Sequence, residues 1–366
     1  MSDWTSRCQA AGVTGWRVAA VRWGAGGLGV IAALLTLPAW ELPPVGGIFA
    51  PARATAQETV LRGRSDLRGL GELVERCAAG NAGFVSPCRE VGLAAMSLQQ
   101  GVGLLGVLGS DIPGNASTLG RRLGSMPRLA LAVSGGVLGV RVPPVSSATV
   151  DGLEETETLA LPGLRVDVAA GAFDGFRMAP TLGGVLAVDL IGSYSRVRLP
   201  GGSGVTGSSS ALGLGARVGL LRESFTVPGI SVSATRRWHG SLRAGSVDEG
   251  TVAQATTELT VSSLRAVVGK NWFVLGVMGG AGWDRYEGDT RLSVPRGADD
   301  PGSVSGHVAS ERTIYFLGGW FNFVITQVSA ELGVADGVPD PFADRAGIYD
   351  PSGLTWYLSA AFRITL

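Results

Sequence analysis

Few residues of this chain are of types that do chemistry, and their spacing limits what they can do. Two histidines occur in 366 residues, His239 and His307, with Asp284 lying between them in the sequence. A histidine held by a carboxylate is a general base, so this trio is the first place to look for catalysis. His307 and Ser310 are three residues apart, an offset that sends their side chains to opposite faces of a strand. Cys77 and Cys88 have no histidine nearby, and zinc wants four ligands, so a disulfide formed in an oxidising compartment suits them better than a metal. The run from Gly201 to Gly207 has the glycine content of a phosphate loop without its Lys-Ser/Thr ending or strand-to-helix context, and reads as a surface loop. No cofactor, no metal and no enzymatic activity are expected.

A larger set of ionisable residues recurs on one parity of alternating segments. Its members are Arg165, Asp167, Asp189, Arg217, Arg237, His239, Arg243, Glu258, Arg265, Asp284, Glu331 and Arg363. If the segments close on themselves, these candidate lumen-facing residues share one interior, with both signs on neighbouring segments. There they either pair across and hold the interior together or line a water-filled path that tunes passage of small charged solutes. Gly213, Gly215 and Gly219 favour space, whereas the mixture of arginines and carboxylates favours closure.

The elements that position this set follow from hydrophobic periodicity. After Pro127 the pattern changes from helical to alternating, and ten candidate strands follow: 128–142, 163–173, 182–198, 209–222, 229–243, 255–269, 271–287, 307–322, 324–336 and the C-terminal segment. In the second, Leu164, Val166 and Val168 alternate with Arg165 and Asp167; in the ninth, Val328, Ala330 and Leu332 alternate with Gln327, Ser329 and Glu331. The fifth sets Leu242 on its apolar face and Arg243 on its polar one. The sixth needs a bulge near Ser262 and Ser263 to keep Leu259 and Val261 on the face of Leu264 and Ala266. Connections 143–162, 199–208, 244–254, 288–306 and 337–353 are long, while 174–181, 223–228, 269–271 and a turn near Asn322 are short. Trp238, Trp272, Trp283, Trp320, Trp356 and Tyr357 lie near strand ends, where interface girdles form.

Composition points the same way. The chain carries 30 basic and 30 acidic residues, only 16% charged, with 45% hydrophobic residues and 57 glycines. It has no basic patch interleaved with aromatics, so nucleic acid is not an expected partner. Beyond the leader no uninterrupted apolar run reads as a membrane helix, so the apolar content is spread over short strands. A soluble sandwich would leave their outward faces without a partner layer.

In Leu354 to Leu366, Leu354, Trp356, Leu358, Ala360, Phe362, Ile364 and Leu366 form one apolar face against Thr355, Tyr357, Ser359, Arg363 and Thr365. This segment resembles the closing strand of bacterial outer-membrane β-barrels, through which the assembly machinery recognises them. The family normally ends in an aromatic, where this chain has Leu366. The resemblance implies an all-β fold, a transmembrane antiparallel up-and-down barrel of about ten strands at 127–366, embedded in outer-membrane lipid. Eight or twelve strands also satisfy the parity that follows from placing the N-terminal region and the C-terminus both in the periplasm. Long and short connections then alternate as such a barrel requires.

The region before the barrel has its own organisation. Arg7, Arg17 and Arg22 precede the apolar stretch Gly24 to Trp40, and Ala54-Thr55-Ala56 is a small-x-small site, so residues 1–56 read as a cleaved signal peptide. Their loss removes four basic and two acidic residues, leaving a net charge of about −2. Residues 57–126 read as a disulfide-linked helical hairpin, periplasmic or plugging the barrel: Leu67, Leu70, Leu73 and Val74 have helical spacing, Ser86-Pro87 suits a helix start, and Val91, Leu93, Met96, Leu98 and Val102 continue an apolar helix.

The porin-like function expected is a pore or transport-related barrel for small solutes, with a non-conducting structural or surface-interaction barrel as the alternative. Long-chain fatty-acid transporters also place an N-terminal segment before a barrel as a hatch, and the placement of Val91 to Leu108 is similar, so a hydrophobic-ligand transporter is a further alternative. Ten strands are also found in omptin proteases, whose Asp-His dyad sits at the extracellular rim; His239, His307 and Asp284 share that placement, but no omptin motif accompanies them. The sequence names no solute and sets no oligomeric state.

Overall fold

The computed structural model describes residues 69–79, 85–121, 126–143, 157–178, 183–202, 205–245, 253–295, 301–338, 342 and 352–366. The expected signal peptide and its cleavage site lie outside these residues. Two helices come first, α1 at 69–78 and α2 at Val85–Val107. Ten strands follow: β1 Leu129–Val142, β2 Glu157–Phe173, β3 Ala187–Gly202, β4 Val205–Leu221, β5 Gly229–Ala244, β6 Gln254–Trp272, β7 Leu275–Pro295, β8 Pro301–Phe323, β9 Thr326–Ala335 and β10 Thr355–Thr365. Each pairs antiparallel with its sequence neighbours, and β1 pairs with β10 to close the barrel. Closure is sealed at one end by reciprocal backbone bonds between Leu129 and Leu366, of 3.2 and 2.8 Å.

That end also carries the tight turns β6–β7 and β8–β9. Phe273 and Val324 adopt φ of 55° and 50°, the left-handed geometry that two-residue hairpins demand. The β6–β7 turn falls at Phe273-Val274 and not at the expected 269–271. Lys270 donates to the Phe225 carbonyl at 2.8 Å and the Asn271 amide donates to Glu223, which keeps β6 in the sheet through Trp272. At the opposite, long-loop end two of the expected loops are sheet. The ladder β3–β4 continues to Gly202↔Val205 and β7–β8 to Pro295↔Pro301. With 21 and 23 residues, β7 and β8 far exceed the roughly 9–11 residues that span a bilayer, so this hairpin projects beyond it.

The outward face is apolar at mid-height. Leu317, Leu332 and Leu358 sit side by side on β8, β9 and β10, 68, 50 and 54% exposed, with Tyr315, Val334 and Trp356 in the next outward row. Such a belt is stable only against lipid. Leu332→Arg is therefore expected to lower barrel stability by about 2–4 kcal/mol in a lipid refolding titration. A cost below about 1 kcal/mol would place Leu332 outside the apolar core of the membrane.

Two aromatics expected in the girdle are inside. Trp320 packs over Gly276 and Tyr357 over Gly333, each glycine directly across the ladder from its aromatic partner. A Cβ on Gly276 would lie 2.1 Å from the Trp320 ring, so these positions need glycine.

α2 lies within the barrel, in contact with β1, β2, β3, β5, β6 and β7. A helix apolar around most of its circumference must be enclosed on all sides, and in α2 every residue from Val91 to Val107 is buried, the polar Ser97, Gln99 and Gln100 included. Ten strands leave little room for a helix about 10 Å wide, and glycines on α2 supply it. Gly101 lies against Val140 and Leu161, Gly103 against Tyr286 and Val261, and Gly106 against His239 and Ser195. Around α2 the long-loop half of the interior is an apolar core that includes Leu159, Leu161, Val197, Leu242, Leu259 and Val261.

The hairpin's position corrects one expectation. α1 sits at the long-loop end, where Arg76 donates to the Ser305 carbonyl at 3.1 Å, so the chain enters there and leaves the barrel at the short-turn end. The even strand count is kept because β1 starts and β10 finishes at that exit end. The Cys77–Cys88 disulfide joins α1 to the first turn of α2. Cys88→Ser should loosen α1 by about 2–3 kcal/mol without unfolding the barrel. Hydrogen exchange would register this as lost protection at 69–78 alone; equal loss across the strands would contradict it.

Candidate functional site in the barrel lumen

Below α2 the chain continues as an irregular segment, Leu108 to Gly120, that threads the short-turn half of the interior. Inward side chains of seven strands hold it, because each strand presents alternate residues to the lumen. Arg165 on β2 donates to the Leu108 and Ser110 carbonyls at 3.0 and 3.1 Å. Arg265 on β6 donates to the Gly109 carbonyl at 3.1 Å, and Glu331 on β9 accepts the Ser110 amide at 3.1 Å. Arg363 on β10 binds the Pro113 carbonyl at 3.0 Å, Gln327 on β9 that of Gly114 at 2.9 Å, and Arg217 on β4 that of Asn115 at 2.9 Å. Asp189 on β3 accepts the Leu119 amide through both oxygens, at 3.1 and 3.0 Å. The segment's backbone thus finds in barrel side chains the partners that a sheet would otherwise supply.

These clamping groups are paired with one another. Arg165 and Asp167, two apart on one strand face, meet at 2.7 Å; Arg217 and Asp189, directly opposite in the β3–β4 register, also meet at 2.7 Å. Arg265 forms a two-pronged pair with Asp284 at 2.5 and 2.9 Å, and Tyr286 donates to the same carboxylate at 2.9 Å. Charges this deeply buried require such pairing.

One carboxylate of the clamp comes from the threading segment itself. Asp111 accepts from Arg237 at 3.0 Å and from Ser233 at 2.5 Å, and both members of the ion pair are shielded, 1 and 0% exposed. Gly109, Gly114 and Gly120 bend the segment with φ of 55°, 65° and 68°. At the exit, Arg121 donates to the Ala172 carbonyl at 2.7 Å and its amide to Asp174 at 2.5 Å. That amide bond, followed by the charge of Arg222, holds the Asp174 carboxyl below its usual range. Nearby, burial pushes the Glu223 carboxyl up against the opposing pull of the Asn271 amide and Lys270.

Of the twelve residues singled out from the sequence, Arg165, Asp167, Asp189, Arg217, Arg237, Arg265, Asp284, Glu331 and Arg363 gather around the threading segment. His239 is buried higher up against Gly106, with neither ring nitrogen hydrogen-bonded. Arg243 and Glu258 face outward, which corrects two expectations, each with its own cause. The β5–β6 register shifts between His239 and Leu242, so a bulge at Gly240-Ser241 turns Leu242 inward and Arg243 outward. The expected bulge at Ser262-Ser263 is absent; β6 alternates without interruption, placing Leu259, Val261 and Arg265 inside and Glu258 outside. His307 bonds Asp289 at 3.1 Å on the exposed outward face, well apart from His239 and Asp284 in the sheet.

Sequence reasoning missed Asp111, Ser233, Tyr286 and Gln327. A signal for Asp111 was available: it is the one charged residue between Val91 and Gly120.

Fold and interior together define a transmembrane-type β-barrel whose lumen is occupied by its own N-terminal chain. No protein-family model matches the sequence, and no curated protein matches it. Solved structures that resemble it include the translocator domain of autotransporter NalP from Neisseria meningitidis, at 12% identity and a TM-score of 0.30, covering 66% of this chain and 88% of that one. An outer membrane channel from Pseudomonas putida F1 is similar at 11% identity and a TM-score of 0.33, covering 69% and 99% of the two chains. The attachment invasion locus protein Ail of Yersinia pestis is similar at 11% identity and a TM-score of 0.24, covering 66% and 100%.

Proposed function

We propose that this protein is a transport-related barrel of the bacterial outer membrane, exported through a cleaved signal peptide, whose lumen is closed at rest by its own N-terminal chain. Short turns then lie in the periplasm, the projecting hairpins and α1 lie outside the cell, and the C-terminal strand is the contact for the assembly machinery. The observation that carries this reading is the clamp on Leu108 to Gly120. Buried ion pairs are commonly replaceable by apolar residues of similar volume at no cost in stability, so an ionic clamp is the kind of contact kept where a held segment has to be released. Release would open a charged path for small solutes along Arg165, Arg217 and Arg237.

The full folded protein in a planar bilayer should show no discrete conductance steps at rest. Steady porin-like conductance of the unaltered protein would overturn the closed-lumen reading.

A second reading, a non-conducting surface barrel, is favoured by the extension of β7–β8 as paired sheet to Pro295↔Pro301. It predicts silence even after the clamp is broken.

A further inference from the structure

One seam of the barrel is incomplete. The β1–β10 ladder stops at Leu138↔Tyr357, although β1 continues to Val142 and β10 begins at Thr355. On their other sides both strands remain paired, β1 with β2 as far as Val142↔Glu157 and β10 with β9 as far as Thr355↔Ala335. The outer part of the seam is therefore a slit flanked by intact sheet. Unpaired strand edges facing lipid leave backbone donors and acceptors unsatisfied, and are kept only where they line a cavity.

A cavity of about 260 Å³ lies in this slit. Its lips are Gly139 to Arg141 on β1 and Gly353 to Trp356 at the start of β10, and its floor is formed by Ser97, Gln100 and Gly101 of α2. The mouth is apolar and continuous with the outward belt: Leu354 and Trp356 are 63 and 58% exposed, and Trp356 shares a row with Val334 and Tyr315. Inside, the chemistry changes. Gln100 lines the floor with its side chain buried, and its Nε2, shielded from the cavity, has no hydrogen-bond partner. Arg141 is exposed at the lip, its guanidinium beside Gly353. Arg312 fixes the β10 lip by donating to Thr355 Oγ1 at 2.7 Å.

We infer that this seam is a lateral binding site for an amphiphile with an anionic oxygen headgroup and an apolar chain. The headgroup would pair with Arg141 at the lip and accept from Gln100 once a side-chain rotation turns its unpartnered Nε2 toward the cavity, while the chain lies along Leu354 and Trp356. The volume supports this division, because pockets that enclose a whole small molecule run to about 300–1,000 Å³, so the tail stays in the lipid phase. A fatty-acid carboxylate and a phospholipid phosphate share this chemistry. The inference rests on the apolar belt facing lipid and is independent of whether the lumen ever opens.

The test uses the full folded chain inserted into phosphatidylcholine vesicles, then extracted for native mass spectrometry after exposure to palmitate or to phosphatidylglycerol. Failure to insert at all would sink the membrane reading, and this site with it. After insertion, one tightly held palmitate or one phosphatidylglycerol is expected, and whichever arm binds identifies the source. Arg141→Ala, at an exposed position, and Gln100→Leu should each weaken retention tenfold or more, while Arg196→Ala, an outward arginine on β3, should leave it unchanged. Absence of binding in both arms, or equal retention by Arg141→Ala and the unaltered protein, would overturn the proposal.

Discussion

Asp111→Ala is expected to destabilise the closed state by about 3–5 kcal/mol and to convert a silent barrel into one that conducts in bursts. The size of the effect comes from what is left behind. Arg237 is fully buried, and without Asp111 its guanidinium keeps, among the described residues, the hydroxyls of Thr235 at 2.7 Å and Ser193 at 3.3 Å, with the more distant Asp167 carboxylate as an opposite charge. An unpaired charge at this depth is relieved by admitting water, which requires the threading segment to move away. A shift of that size changes the ratio of open to closed lumen by roughly a hundredfold or more. The double variant Asp111→Leu/Arg237→Met separates the two causes. If the stranded charge drives opening, the double variant is as silent as the unaltered barrel and nearly as stable. If loss of the tether itself drives opening, both variants conduct alike. Silence of Asp111→Ala in a bilayer, despite its measured destabilisation, would move the assignment to the non-conducting surface barrel.

Gly109→Ala is expected to cost several kcal/mol, because a backbone penalty and the loss of buried hydrogen bonds add. Its φ of 55° already disfavours an L side chain by about 1–2 kcal/mol. The added Cβ would also fall 1.1 Å from Glu331 Oε1, so that carboxylate must leave. Glu331 would then lose the Ser110 amide at 3.1 Å and the Tyr357 hydroxyl at 3.2 Å, each buried group costing about 1–3 kcal/mol when left without its partner. Gly71→Ala on α1 is the matched control. Nothing lies within 4 Å of its Cβ position, and alanine favours a helix over glycine by about 1 kcal/mol. Urea titration in detergent should show opposite signs for the two substitutions. Similar small changes would mean that Gly109 does not hold the segment against Glu331.

The contrast between Arg165 and Arg243 shows what was legible before the structure. Around Arg165, β2 alternates without interruption, and its parity assigns Arg165 and Asp167 to the same face as the chain folds them. At Arg243 the alternation appears continuous through Gly240 and Ser241, two residues with too little side chain to mark a face, and the bulge there reverses the parity. β6 fails for a different reason. Leu259 and Val261 look lipid-facing by hydropathy, but they face an interior that α2 has made apolar, while Glu258, Thr260 and Ser262 face outward, so the polarity of the strand is inverted at that height. Parity separates the two faces, but which face is inside depends on what fills the interior.

The sequence by itself determined the barrel. A period of two is local, every strand must show lipid one face, and an unpaired edge cannot persist in a membrane, so a closed barrel with an even number of strands, about ten, follows from short-range pattern. Only the tertiary structure decided what fills the interior and how it is held. The clamp on Leu108 to Gly120 joins residues separated by 55 to 250 positions, as in Arg165 to Ser110 and Arg363 to Pro113. Those pairings depend on where each inward side chain lies along and around the barrel, and on a helix that enters from the end opposite to its exit. No periodicity encodes either, because they arise from barrel register and from the course of a segment that belongs to no strand.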